Sequence, residues 1–195
     1  MADTMTSRQR HECMSHIRAK NTRPEMLVRS HLHKAGLRFR IHVAKLPGCP
    51  DIVLPKYRTV IFVNGCFWHG HKGCRLYTVP DTNRQFWTDK VARNKERDLR
   101  VVALLEALSW NVITIWECEL KKAAIGQTMQ RVEAQIAENQ ARWEDYRQRR
   151  RTDREFAIAE TRRKRALQDQ VTKTLQEQYD IPESVVRLSL KDFEE

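Results

Sequence analysis

The sequence predicts an α/β fold that carries a long helical extension. Three observations point there. Short, apolar, β-branched runs lie between two helical stretches. A Cys/His-rich loop follows one of those runs. From about Leu120 the chain turns polar, and its apolar residues keep only helical spacing. A chain of 195 residues can hold one domain with a core plus an extension. The expected division is a domain over 1–125 and a charged helical extension over 126–195.

The first fifteen or so residues are polar and basic and read as an arm or a short helix. Thr22-Arg23-Pro24-Glu25 is a helix start: Thr22 can cap, Pro24 fits the first turn and Glu25 complements the dipole. Leu27, Val28, His31, Leu32 and Ala35 share one face, and Gly36 ends the helix. Residues 38–43 alternate, with Phe39, Ile41 and Val43 on one side. Pro47-Gly48-Cys49-Pro50 is a turn. Asp51-Ile52-Val53-Leu54 and Thr59-Val60-Ile61-Phe62-Val63 read as buried strands, parallel in appearance, and Asn64-Gly65 breaks the second.

Residues 66–80 form the Cys/His-rich loop. Asp81 or Thr82 then caps a helical region reaching about Ser109, with Val101, Leu104, Leu105 and Leu108 on its core face. A last strand spans 110–116, and Cys118 follows it directly. Ile125, Met129, Val132 and Ile136 mark an amphipathic helix. Basic clusters at 147–151 and 162–165 sit on a segment poor in apolar residues, and the heptads needed for a coiled coil fail after Tyr146. The expectation over 121–180 is a solvated helix that buries little area and stops at Asp180-Ile181-Pro182.

The net charge is +11, and its distribution matters more than its size. Residues 1–120 hold 20 Lys+Arg against 11 Asp+Glu, whereas 121–195 hold 16 against 14. The positive field belongs to the first part and suits a polyanion such as nucleic acid. No apolar run is long enough for a membrane span, and the start lacks the apolar stretch of a signal peptide, so a cytoplasmic protein without a membrane partner is expected. Five cysteines without an export signal favour metal binding or free thiols over disulfides.

The densest chemical signal is Cys66-Phe67-Trp68-His69-Gly70-His71-Lys72-Gly73-Cys74, with Cys118 far along the chain. Three thiolates and one imidazole make a tetrahedral zinc set, and a ligand at a strand exit would tie the loop to the sheet. Spacing leaves open whether His69 or His71 is the fourth ligand. Pro50-Asp51 places a carboxylate at the mouth of an apolar strand. Such a group can hold a hard divalent cation near a phosphate, although a turn-forming Asp explains the same dipeptide. A free His69 beside them could deprotonate a water.

Leu46-Pro47-Gly48-Cys49-Pro50-Asp51, Val60 through His69, Phe86-Trp87, Asn94, Arg97-Asp98 and Trp116-Glu117-Cys118 together resemble the very-short-patch-repair (Vsr) mismatch endonucleases over roughly residues 8–120. The resemblance implies a fold similar to type II restriction endonucleases, with a mixed central sheet flanked by helices. It implies that Asp51 binds Mg2+ with the backbone carbonyl of Val63, that His69 acts on the attacking water, and that Glu25 supports the site. It implies Cys66, His71, Cys74 and Cys118 as structural Zn2+ ligands. It implies that Phe67, Trp68 and Trp87 wedge into the base stack. Trp87 also lies beside Lys90 and Arg93, a basic, aromatic mix suited to a duplex, and Lys90 and Asn94 are expected to bind DNA. Gly73 stands as an extra residue in the loop, Cys49 stands where the family often has Arg, and Asn64 replaces a His of some members.

The expected function is a DNA mismatch endonuclease that nicks one strand beside a T·G mismatch, acting as a monomer on duplex DNA. Three rivals are a nuclease of this fold with another specificity, for example in host defence, a zinc module that binds DNA without cutting it, and a helical interaction protein in which residues 121–195 are the functional part.

Overall fold

The computed structural model describes residues 20–179, together with Arg8, Gln9 and Glu12. Most of the expected N-terminal arm and the stop at Asp180-Ile181-Pro182 lie outside the described residues.

Helix α1 (Arg23–Lys34) starts as its sequence requires. The Glu25 N–H donates to the Thr22 hydroxyl oxygen (3.4 Å), and the Thr22 N–H donates back to the Glu25 carboxylate (3.2 Å). Gly36 follows at φ +76, the left-handed exit that glycine permits. Strand β1 (Arg40–Ile41) is far shorter than the alternation suggests. His42 takes a left-handed backbone, φ +46, and ends it. Phe39 and Val43 then pack on different clusters, and Ile41 is exposed rather than sharing a buried side with them.

Strands β2 (Ile52–Leu54) and β3 (Thr59–Asn64) are antiparallel, with Ile52 opposite Ile61 and Leu54 opposite Thr59. The parallel pairing their composition suggested is therefore wrong. The link is only the 3-10 turn Pro55–Tyr57 and left-handed Arg58, whereas a parallel return needs a dozen or more residues. Helix α2 (Arg84–Ala107) supplies such a crossover between β3 and β4 (Asn111–Trp116), which do run parallel. Its cap differs from expectation: Asn83 precedes it at φ +55 with no side-chain cap, and Asp81 pairs with Arg84 at 3.3 Å. The result is a mixed four-stranded sheet in the order β1-β2-β3-β4.

Strand alternation sorts the core onto two faces. Ile52, Leu54, Ile61, Ile113 and Ile115 meet Val28 and Leu32 of α1 on one side. Val53 and Val60 meet Val101 and Leu105 of α2 on the other. The first face is completed by α3 (Ile125–Thr152), whose Met129, Val132 and Ile136 are at most 2% exposed. Their helical spacing is as read, but the stripe is core and not solvated, because an apolar stripe needs a surface to cover.

Past Ile136, α3 locks the far end of the sheet. The Asn139 amide donates to the Thr59 hydroxyl (3.0 Å), Arg142 donates to the Asn139 carbonyl oxygen (2.5 Å), and the Arg58 guanidinium lies over Trp110 and Trp143 at 4.4 and 5.3 Å. Asp153 leaves the helical conformation, and its carboxylate accepts the Phe156 N–H at 2.9 Å. It thereby caps α4 (Arg154–Tyr179), so the long helix is two helices joined by a cap. Among the described residues no helix is long and apolar enough to cross a membrane.

Candidate active site and metal centre

Strand directions place the chemistry. β3 and β4 run parallel with Asn64 opposite Trp116, so both end at the same edge of the sheet. β2 runs the other way, so Asp51, just before its start, lies at that edge too.

Cys66 is two residues past β3 and Cys118 two residues past β4, and the two thiols therefore leave the sheet side by side. The loop brings His71 and Cys74 to them. The His71 Nδ1 is 3.5 Å from the Cys66 sulfur and 3.4 Å from the Cys118 sulfur, and all four donor atoms lie within 4.8 Å of one another. A tetrahedral ion about 2.3 Å from sulfur and about 2.0 Å from nitrogen spaces its ligands roughly 3.5–3.8 Å apart. The set fits a thiophilic metal ion. His71 is the histidine in this group, and its ring is stacked on Trp116 at 4.1 Å with planes 3° apart. The extra Gly73 adopts φ +75, a conformation that absorbs a residue in a tight turn.

Burial pushes the Cys66 thiol up to about 12 and raises Cys118 as well. Cys74 is lowered, first by the Leu76 N–H at 3.4 Å from its sulfur. The three thiols ionise together only with a cation between them.

The second cluster unites Glu25, His42 and Asp51, whose donor atoms also lie within 4.8 Å of one another. The Val63 N–H donates to Asp51 Oδ2 at 2.8 Å. Burial raises the Asp51 carboxyl above its usual range, offset in part by that N–H. A half-buried carboxylate of this kind gains most from a bound cation, so Asp51 fits one. Arg29 joins the group, donating to Glu25 at 2.6 Å and to His42 Nε2 at 2.9 Å.

His69 belongs to neither cluster. Its Nδ1 is 2.5 Å from Asp98 on α2. One turn earlier, Asn94 donates to the Trp68 carbonyl at 2.8 Å. Two residues four apart on α2 thus grip consecutive residues of the loop. The close approach depends on Gly70 at φ +59, where a Cβ would stand 2.5 Å from Val91 and Lys95 side-chain atoms. Burial pushes Asp98 up, but the hydrogen bond and charge of His69, with Arg97, leave it below the ordinary carboxylate range.

Phe67, Trp68 and Trp87 form one half-exposed group, with ring centroids 5.2, 5.2 and 5.9 Å apart and edge-to-face geometry. Phe86 is 51% exposed, edges onto Trp87, and carries the Lys90 ammonium 5.7 Å from its ring.

Of the expected site residues, the structure brings Cys66, His71, Cys74 and Cys118 together, and Asp51 with Glu25 and the Val63 backbone. The sequence reading missed His42 and Arg29, and gave no role to Asp98. The Glu25/Arg29 and Asn94/Asp98 spacings of four were a legible signal. Nothing in the local pattern marked His42.

The family model described as "DNA mismatch endonuclease Vsr" matches residues 2–75. The chain is 49% identical over 120 residues to "Type II nicking enzyme V.XorIIP" of Xanthomonas oryzae pv. oryzae, covering 62% of this chain and 88% of that protein. It is 45% identical over 125 residues to "Type II nicking enzyme V.NmeAIP" of Neisseria meningitidis, covering 64% and 89%. It is 44% identical over 121 residues to "DNA mismatch endonuclease Vsr" of Escherichia coli K12, covering 62% and 77%. With these similarities and this sheet edge, the chain belongs to the Vsr family and is an endonuclease that acts on DNA.

Proposed function

We propose that the protein nicks one strand of duplex DNA beside a T·G mismatch by Mg2+-dependent hydrolysis, on a restriction-endonuclease-like scaffold braced by Zn2+ at Cys66, His71, Cys74 and Cys118. The observation that carries this reading is the pairing of His69 with Asp98 on the loop that holds the aromatic group. Asp98 accepts the Nδ1 proton of His69, which leaves Nε2 with a lone pair. Nε2 takes the proton of the attacking water as its oxygen forms the new bond to phosphorus and the P–O bond to the leaving strand breaks. Asp51 and the Val63 carbonyl would hold Mg2+, which when bound polarises a phosphate oxygen and eases ionisation of water. Glu25 supports this site from α1.

Phe67, Trp68 and Trp87 form the wedge. Inserting a ring costs a few kcal/mol of unstacking, and a mismatch, already poorly stacked, lowers that cost. Lys90 and the exposed part of Asn94 lie on the same side of the proposed duplex path. The protein acts as a monomer in the cytoplasm, and within the 126–195 extension α3 closes one face of the catalytic core.

The test is a nicking assay with Mg2+ on duplexes carrying each mismatch and on a matched control at fixed salt. Cutting confined to the T·G duplex is the expected result. Equal cutting of matched DNA sinks the mismatch reading in favour of a nuclease of other specificity, and binding without cutting favours a non-catalytic zinc module.

A further inference from the structure

Glu25 uses both oxygens fully. Oε1 accepts the Thr22 N–H (3.2 Å) and hydroxyl (2.8 Å), and Oε2 accepts the Asn21 N–H (3.1 Å) and Arg29 Nη2 (2.6 Å). A carboxylate offers about four lone-pair sites, so Glu25 has none to spare for a cation or a water. In the cluster with His42 and Asp51, Asp51 is thus the carboxylate with an oxygen still to offer. Glu25 anchors Arg29.

Arg29 in turn fixes His42. A guanidinium can only donate, so at 2.9 Å His42 Nε2 must accept, and the ring proton sits on Nδ1. That nitrogen faces Asp51 Oδ1 at 4.0 Å, too far for a direct hydrogen bond but near enough for its N–H dipole to attract the carboxylate, while Oδ2 is held by the Val63 N–H at 2.8 Å. His42 keeps this place at φ +46, a backbone conformation that residues with a Cβ rarely adopt, with a side chain only 12% exposed.

We infer that His42 is the positioning residue of the Asp51 cation site: its Nδ1–H, fixed in that tautomer by Arg29, aligns Asp51 against the Val63 strand. The inference rests on the proposed reading that Asp51 holds a divalent cation. His42 is not itself a ligand, since one nitrogen faces Arg29 and the other carries the proton. Its role is that of an outer partner that orients a ligand, and loss of such a partner typically weakens metal binding by about 10–100-fold.

The experiment titrates the full-length, zinc-loaded protein with Mn2+ by calorimetry, beside thermal melting, for wild type, His42→Gly, His42→Asn and Asp51→Asn. Glycine suits the left-handed backbone and removes the donor, whereas asparagine tolerates that backbone and keeps an amide N–H. His42→Gly should still fold in the melting experiment yet bind Mn2+ at least about tenfold more weakly. His42→Asn should recover most of the affinity. Nitrogen-15 spectra of the wild-type ring should display the Nδ1–H tautomer, a readout that holds even if His42→Gly fails to fold. Wild-type Mn2+ affinity in His42→Gly, or an Nε2–H tautomer, overturns the inference and leaves the cation site standing. Unchanged Mn2+ binding in Asp51→Asn removes the cation site and the inference with it.

Discussion

The two ends of the sheet both gather polar side chains and use them differently. At the far end, Asn139 bonds Thr59 and Arg142 while Arg58 stacks on Trp110 and Trp143, and together they close the gap between α3 and the strands. At the near end, past β3 and β4, the thiol and imidazole set is also self-contained, but Asp51 and the Nε2 side of His69 keep unused capacity. Polar groups whose partners all lie within the protein make structure. Groups fixed on one side and left open on the other can do chemistry.

The largest expected effect breaks the closed set at the near end. Cys118→Ser should lose zinc and unfold, because a structural zinc site contributes on the order of 10 kcal/mol to folding. Metal analysis together with circular dichroism decides it, and a folded Cys118→Ser chain of normal stability would remove the set from the folding account. Ending the chain after Gln127 should be as damaging, since Met129, Val132 and Ile136 leave the core. An active, soluble product of that length would mean that the near end assembles without α3.

Next comes His69→Ala, which should keep the fold and zinc while nicking falls by about 10²–10⁴-fold. Near-normal single-turnover cutting would take His69 out of the reaction.

At the far end, Asn139→Ala should cost about 1–3 kcal/mol by leaving buried polar groups unpaired, with the nicking rate per folded molecule unchanged. A denaturant midpoint that does not move would show the lock to be ornamental, and a slower enzyme would show that the two ends are coupled.

The smallest effect is pH-dependent. Asp98 lies below the ordinary carboxylate range in the folded chain, so its stabilising contribution is present above the unfolded value and lost as pH falls through the folded one. The melting difference between wild type and Asp98→Asn should therefore be present at neutral pH and close in the acid range below about pH 4. A difference that persists unchanged into strong acid would contradict the hydrogen bond from His69 to an ionised Asp98.

The near end was more legible in sequence than the far end. Cys66, His71, Cys74 and Cys118 announce themselves by type and spacing, and the resemblance chose between His69 and His71. The α1 cap could be read from Thr22 and Glu25 alone. What escaped depends on direction and contact. Composition does not tell antiparallel β2 and β3 from parallel strands, although their short link does. Helical spacing at Met129, Val132 and Ile136 says which residues share a face, not that the sheet lies beneath it. His42 was invisible because its left-handed backbone interrupts the very alternation used to place it.

The helix cap at Glu25 has a consequence in time. The first turn of a helix is where fraying begins, and local openings of this kind expose their amides to solvent long before a protein unfolds. Here the Asn21 and Thr22 amides are held by the carboxylate that also holds Arg29. Each excursion of that turn therefore loosens one of the partners that hold Arg29. The exchange rate of those two amides is a clock for how often an intact molecule briefly slackens the cluster of Glu25, His42 and Asp51.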